Sequence, residues 1–152
     1  MRQLSALFGA FLLLTCAAFA GQADDAKKLQ GAWALTELIV GGAKVPDKEL
    51  AGMKFVFEAD KLTIVPPTAD TDVIEKRSFT IKLEPKKNPA QVEITALDGK
   101  FKGTVSPGIY ELKGDMLRWC QSDDPQSKDH PKEFASPEKS KIYLFTFKRD
   151  GK

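Results

Sequence analysis

Several short stretches of this chain alternate strictly between apolar and polar residues. Such a pattern leaves little choice but a β-sheet with one buried and one wet face. Met53, Phe55 and Phe57 alternate with Lys54, Val56 and Glu58, and Leu62 and Ile64 with Lys61 and Thr63. Phe79, Ile81 and Leu83 alternate with Ser78, Thr80, Lys82 and Glu84, and Val92, Ile94 and Ala96 with Gln91, Glu93 and Thr95. Four further runs, 33–40, 108–112, 116–120 and 142–147, are apolar at both parities and are expected to be covered on both faces. Gly41-Gly42, Ala59-Asp60, Asp98-Gly99 and Gly114-Asp115 separate runs with the residues tight turns favour. Pro66-Pro67 and Pro85 with Pro89 mark wider loops. Only the stretch 46–51 reads as briefly helical, ending at Gly52. About eight consecutive hairpin-linked strands predict an all-β, antiparallel up-and-down barrel with one short helix after the first strand, because closure removes exposed edges.

The first twenty residues are of another kind. Arg2 is followed by an apolar run from Leu4 to Phe19 that ends in Ala18-Phe19-Ala20. A basic start, a short apolar core and an A-x-A end read as a secretory signal peptide over 1–20, cleaved after Ala20. The run is short for a bilayer span and Asp24 and Asp25 follow it, so no integral span is expected in the mature chain. Thr15 fits poorly before a lipidated cysteine, so this reading is preferred to a lipoprotein anchored at Cys16. The expected destination is periplasmic or extracellular. About 130 residues remain: a loose lead-in over 21–28 and one barrel domain over 29–150.

Loss of Arg2 takes the formal net charge of +2 down by one. The lysines are interspersed with acids, which gives no electrostatic case for nucleic acid or an anionic membrane. Only Cys120 survives cleavage, so no disulfide can form within one mature chain.

Gly31-Ala32-Trp33 opens the first strand and Lys148-Arg149 closes the last. This resembles the lipocalin (calycin) arrangement, in which a G-x-W tryptophan at the closed end packs beneath a late basic residue. The resemblance implies that Gly31, Trp33 and Arg149 close the barrel, with Arg149 stacked on Trp33. An ordinary core tryptophan at a strand start is the other reading. A second resemblance spans nearly the whole mature chain. It rests on Leu29-Gln30-Gly31-Ala32-Trp33, Val45-Pro46 with Leu50, Gly108-Ile109-Tyr110-Glu111-Leu112, Gly114-Asp115-Met116-Leu117-Arg118-Trp119-Cys120, and Pro131 with Phe134. In order and spacing these blocks resemble an uncharacterised domain family expanded in planctomycete bacteria. Ala32 stands where threonine is common and Trp119 where an aliphatic is common. The resemblance implies an exported, lipocalin-like small barrel and brings no activity, cofactor or catalytic residue.

Candidate sites come from the residues themselves. Phe55, Phe57, Phe79, Tyr110, Trp119, Tyr143 and Phe145 fall on several strands and either line a cup for a small, largely apolar ligand or fill the interior. Phe147 belongs to the same set. Cys120 shares a face with Arg118, as a reactive thiol would, or is an inert core residue, which is the preferred reading. Asp123, Asp124, Asp129 and His130 share a proline-rich loop, as do Asp70 and Asp72, without metal-site spacing. These loops are expected to be solvated and to rim any open mouth. There is no G-x-S-x-G, H-E-x-x-H or phosphate-cradling glycine loop, and one histidine offers no triad. The expectation is therefore no cofactor, no metal and no assigned catalytic residue. The first function expected is a ligand-binding module; the alternative is a non-catalytic structural or interaction domain of the cell envelope, its protein partner unknown.

Overall fold

Each alternating run becomes a strand, and strands adjacent in the chain are adjacent in the sheet. A computed structural model describes residues 24–68 and 76–151. The proposed signal segment, Cys16, Asp70 and Asp72 lie outside the described residues. The strands are β1 (Gly31–Val40), β2 (Ala43–Lys44), β3 (Lys54–Glu58), β4 (Lys61–Val65), β5 (Arg77–Glu84), β6 (Ala90–Ala96), β7 (Val105–Lys113), β8 (Met116–Ser122) and β9 (Ile142–Arg149). Their order in the sheet is β2-β1-β3-β4-β5-β6-β7-β8-β9, and β9 pairs back onto β1. All pairings are antiparallel. Eight strands thus close an up-and-down barrel, with β2 a two-residue extension on β1. Closure leaves no row of unpaired backbone groups along the wall. The architecture fits the lipocalin-like expectation.

Strand parity decides the interior, with one exception. On β1, Leu35 and Leu38 both face inward although they are an odd number of residues apart. A bulge allows this: the register against β9 shifts between Leu35 and Glu37, so Leu35 pairs with Phe147 and Leu38 with Phe145. Thr36 donates its hydroxyl to the Thr146 carbonyl at 3.0 Å within the bulge. The apolar run at both parities of β1 is explained by this change of phase.

The outer face of β7, β8 and β9 has another cause. The connection 123–141 folds back over it and buries Pro107, Ile109 and Cys120. Arg118 stacks on Phe134 at 4.4 Å, Ser136 donates to the Ile142 carbonyl at 2.6 Å, and the Gly41 N–H donates to Ser136 at 2.9 Å. His130 Nδ1 lies 2.8 Å from the Gly108 carbonyl, which only accepts, so this nitrogen carries the proton.

The two ends differ. Tight turns at Ala59-Asp60 and Gly114-Asp115 and a short link over 85–89 form one end; the connections 41–53, 97–104 and 123–141, with the end of β4 and the start of β5, form the other. The tight end is plugged. Residues 24–29, expected to be a loose lead-in through 28, form a helix, α1. A segment of this length has no stable helicity alone, so tertiary contacts hold it. Leu29 is fully buried, Tyr110 donates to the Asp25 carboxylate at 2.6 Å, and Trp33 Nε1 donates to the Leu29 carbonyl at 2.9 Å. The expected single turn after the first strand, α2 (Asp47–Leu50), is present and buries Leu50 at the other end.

Candidate functional site

The interior divides into a solid half and a hollow half. Above the plug, Trp33, Phe57, Leu83, Val92, Tyr110, Leu117 and Phe147 are each at most 5% exposed and fill the cross-section. Arg149 seals this end: its guanidinium lies 4.1 Å over the Trp33 ring and donates to the carbonyls of Gln30 at 2.9 Å and Lys28 at 2.5 Å. The Lys28 carbonyl belongs to the last turn of α1 and the Gln30 carbonyl follows directly after it, so Arg149 serves as the helix's C-terminal cap. Gln30 clamps the β3–β4 turn, accepting from the Ala59 N–H at 2.8 Å and donating to its carbonyl at 3.0 Å. Ala59 is held there at φ 55°, a conformation that non-glycine residues rarely adopt.

Beyond Trp119 the barrel is hollow. A cavity of about 750 Å³ opens between the long connections. Leu38, Phe55, Leu62, Ile64, Phe79 and Ile94 form most of its apolar wall, and Phe145 and Trp119 its floor. Phe55 meets Phe145 at 5.3 Å and Trp119 at 6.1 Å between centroids, which fixes the floor as an aromatic layer. The volume lies in the range of small-molecule sites.

The seven candidate aromatics are therefore split. Phe55, Phe79, Trp119, Tyr143 and Phe145 line the cavity. Phe57 and Tyr110 do not: they point inward in the solid half, where the plug leaves no space. Phe57 packs on Trp119 at 5.8 Å, and the Tyr110 hydroxyl is committed to Asp25. Burial and then the Asp25 carboxylate push the Tyr110 pKa up.

Several lining residues escaped sequence reasoning. Met53, Leu38 and Val40 are aliphatic or thioether groups with no chemical signature. Gln121, Ser106 and Arg77 are polar, and alternation alone had placed no polar side chain inside. A usable signal did exist: all sit at strand ends next to long connections, where a barrel opens.

Cys120 faces outward, away from the cavity, and is fully buried under the 123–141 connection. Its Sγ donates to the Ala135 carbonyl at 3.5 Å, and burial pushes the thiol pKa up. It has neither the exposure nor the thiolate fraction that reactivity needs. The acidic loop is dispersed: Asp123 accepts from the Tyr143 hydroxyl at 3.1 Å, Asp124 accepts from the Gln126 N–H at 3.0 Å, and His130 sits on the outer wall. Among the described residues, no group of three or more His, Cys, Asp or Glu side chains could hold a metal ion. No described helix is long and apolar enough to cross a membrane. The described lining of the cavity is mostly apolar, with its polar groups on one side and at the rim. Compared with protein-family models, with curated proteins and with solved structures, the chain matches none of them.

Proposed function

We propose that this protein is an exported, lipocalin-like barrel that binds one small, largely apolar ligand at its open end. The observation that carries this reading is the cavity of about 750 Å³, walled by apolar side chains and floored by aromatics, above an interior otherwise packed solid. A barrel meant only as scaffold gains stability from filling such space, since each missing methylene contact costs about 1 kcal/mol. The signal-like first twenty residues and the stacking of Arg149 on Trp33 support the same reading, as does the resemblance to the exported planctomycete family.

The test is titration with N-phenyl-1-naphthylamine, an uncharged dye that brightens in apolar surroundings. The expected result is saturable one-to-one binding that is lost in Ala96→Phe, which places a ring in the cavity mouth. No saturable binding by the wild-type protein would remove the proposal. N-terminal sequencing of the processed protein is expected to start at Gly21; a start at Met1 would remove the export part.

The alternative, an interaction module, draws on Leu97, Phe101 and Val105, large exposed apolar residues around the β6–β7 connection. It predicts that Leu97→Ser combined with Val105→Ser, at exposed residues outside the cavity lining, abolishes self-association or partner capture while leaving dye binding intact.

A further inference from the structure

The cavity is two-sided, and its second side has chemistry that an all-hydrocarbon ligand would waste. Across the sheet from the apolar wall of β1, β3, β4 and β5, an inward-facing stripe runs over β9, β8 and β7. Gln121 on β8 stands directly opposite Tyr143 on β9 and Gly108 on β7. Ser106 is the next inward residue of β7, and Tyr143, Gln121 and Ser106 all line the cavity.

Gln121 is the centre of this stripe. It is only 6% exposed, yet it lies inside the barrel among apolar groups. Its orientation is not ambiguous. The Trp119 indole N–H can only donate, so the atom 2.9 Å from it must be the amide oxygen. The amide nitrogen then donates to the Pro107 carbonyl at 2.9 Å. A primary amide has two N–H groups and two lone pairs on oxygen. Half of that capacity is used, and among the described residues nothing takes the second N–H or the second lone pair. Ser106 likewise has no side-chain hydrogen bond to another described residue. The chain makes room for this arrangement: a Cβ at Gly108 would fall 2.6 Å from the Gln121 amide oxygen.

The charged residues of the cavity, Glu49, Arg77, Lys100 and Asp123, lie on connections or strand ends at the rim. Among the described residues they comprise two of each sign, so the described rim carries no net charge to favour an ionic head group.

We infer that the ligand is an apolar molecule bearing an uncharged hydrogen-bonding group, a carbonyl, amide or hydroxyl, that Gln121 and Ser106 bind inside the cavity. This rests on the binding function proposed above. A buried amide with spare capacity discriminates against a ligand that leaves it unpaired, because the desolvated group then finds no partner.

The experiment is displacement of bound N-phenyl-1-naphthylamine by four compounds of equal chain length: decanamide, 1-decanol, 1-chlorodecane and decanoate. The first two are expected to displace the dye at concentrations about tenfold lower than 1-chlorodecane, the ratio one well-made hydrogen bond gives. In Gln121→Met and in Ser106→Ala that advantage, measured against each variant's own dye affinity, is expected to shrink to below about threefold. Ser106→Ala leaves no buried group orphaned, so it decides the matter should Gln121→Met unfold. Equal displacement by 1-chlorodecane and decanamide would overturn the inference and leave the binding function standing. So would an advantage that survives Ser106→Ala and any folded Gln121 variant, or decanoate as the strongest competitor. Failure of the dye to bind at all would instead overturn the function on which the inference rests.

Discussion

Replacing Arg149 by Met tests whether the closed end depends on one side chain. Met keeps the unbranched apolar stem and removes only the guanidinium. Four interactions go with it: the stack on Trp33 at 4.1 Å, the bonds to the Gln30 and Lys28 carbonyls, and a solvent-screened ion pair with the exposed Asp115 at 3.6 Å that adds little. A desolvated cation–π contact contributes up to about 2 kcal/mol, and a hydrogen bond from a charged donor about 1.5–3 kcal/mol. The side chain is 20% exposed, so water can reach part of the vacated carbonyl surface. Allowing for that, the loss should be about 3 kcal/mol, which for a domain of this size lowers Tm by roughly 10 °C. Arg149→Lys should recover little of it, because an ammonium cannot address two carbonyls and an indole face with one planar fork. Urea unfolding followed by tryptophan fluorescence measures the change directly. Hydrogen exchange should also show amides 24–30 losing protection before the rest. A destabilisation below about 0.5 kcal/mol, the range of an inconsequential surface change, would refute the reasoning, as would full rescue by lysine.

Two other expectations follow from packing and from burial. Gly108→Ala should cost about 1–3 kcal/mol, the usual range for overpacking, because its Cβ would meet the Gln121 side chain at 2.6 Å and the Cys120 carbonyl at 2.8 Å; unchanged urea stability would show that Gln121 moves aside freely. Stability should also fall at alkaline pH. Burial raises the Cys120, Tyr110 and Tyr143 pKa values above the ordinary 9.0 and 10.0, and nearby aspartates add to the effect on both tyrosines. The folded state therefore keeps protons that the unfolded chain releases, so the contribution is intact below pH 9 and is lost as pH climbs through the raised values. Equal unfolding free energies at about pH 7.5 and 10.5 would contradict the sign.

Much of the fold was legible because side-chain direction on a strand depends only on parity. Lys54 to Glu58 and Ala90 to Ala96 announce which face they bury without reference to any other segment. Turn positions such as Gly114-Asp115 are equally local, since they report a backbone conformation. The stack of Arg149 on Trp33 came from a resemblance and could not have come from spacing, because 115 residues of intervening chain say nothing about contact.

What the sequence determined by itself was therefore a set of amphipathic strands and the places where they turn. The tertiary structure decided the rest. The bulge after Leu35 reverses parity only because β9 demands it, and α1 exists only because Tyr110, Arg149 and the core hold it. Whether Phe57 and Phe55 fill space or bound it depends on their distance from the plug: both are inward phenylalanines two residues apart, yet one is core and the other cavity wall. Side-chain volume is a property of each residue, whereas empty volume belongs to the closed barrel, set by the side chains that meet across it from distant parts of the chain.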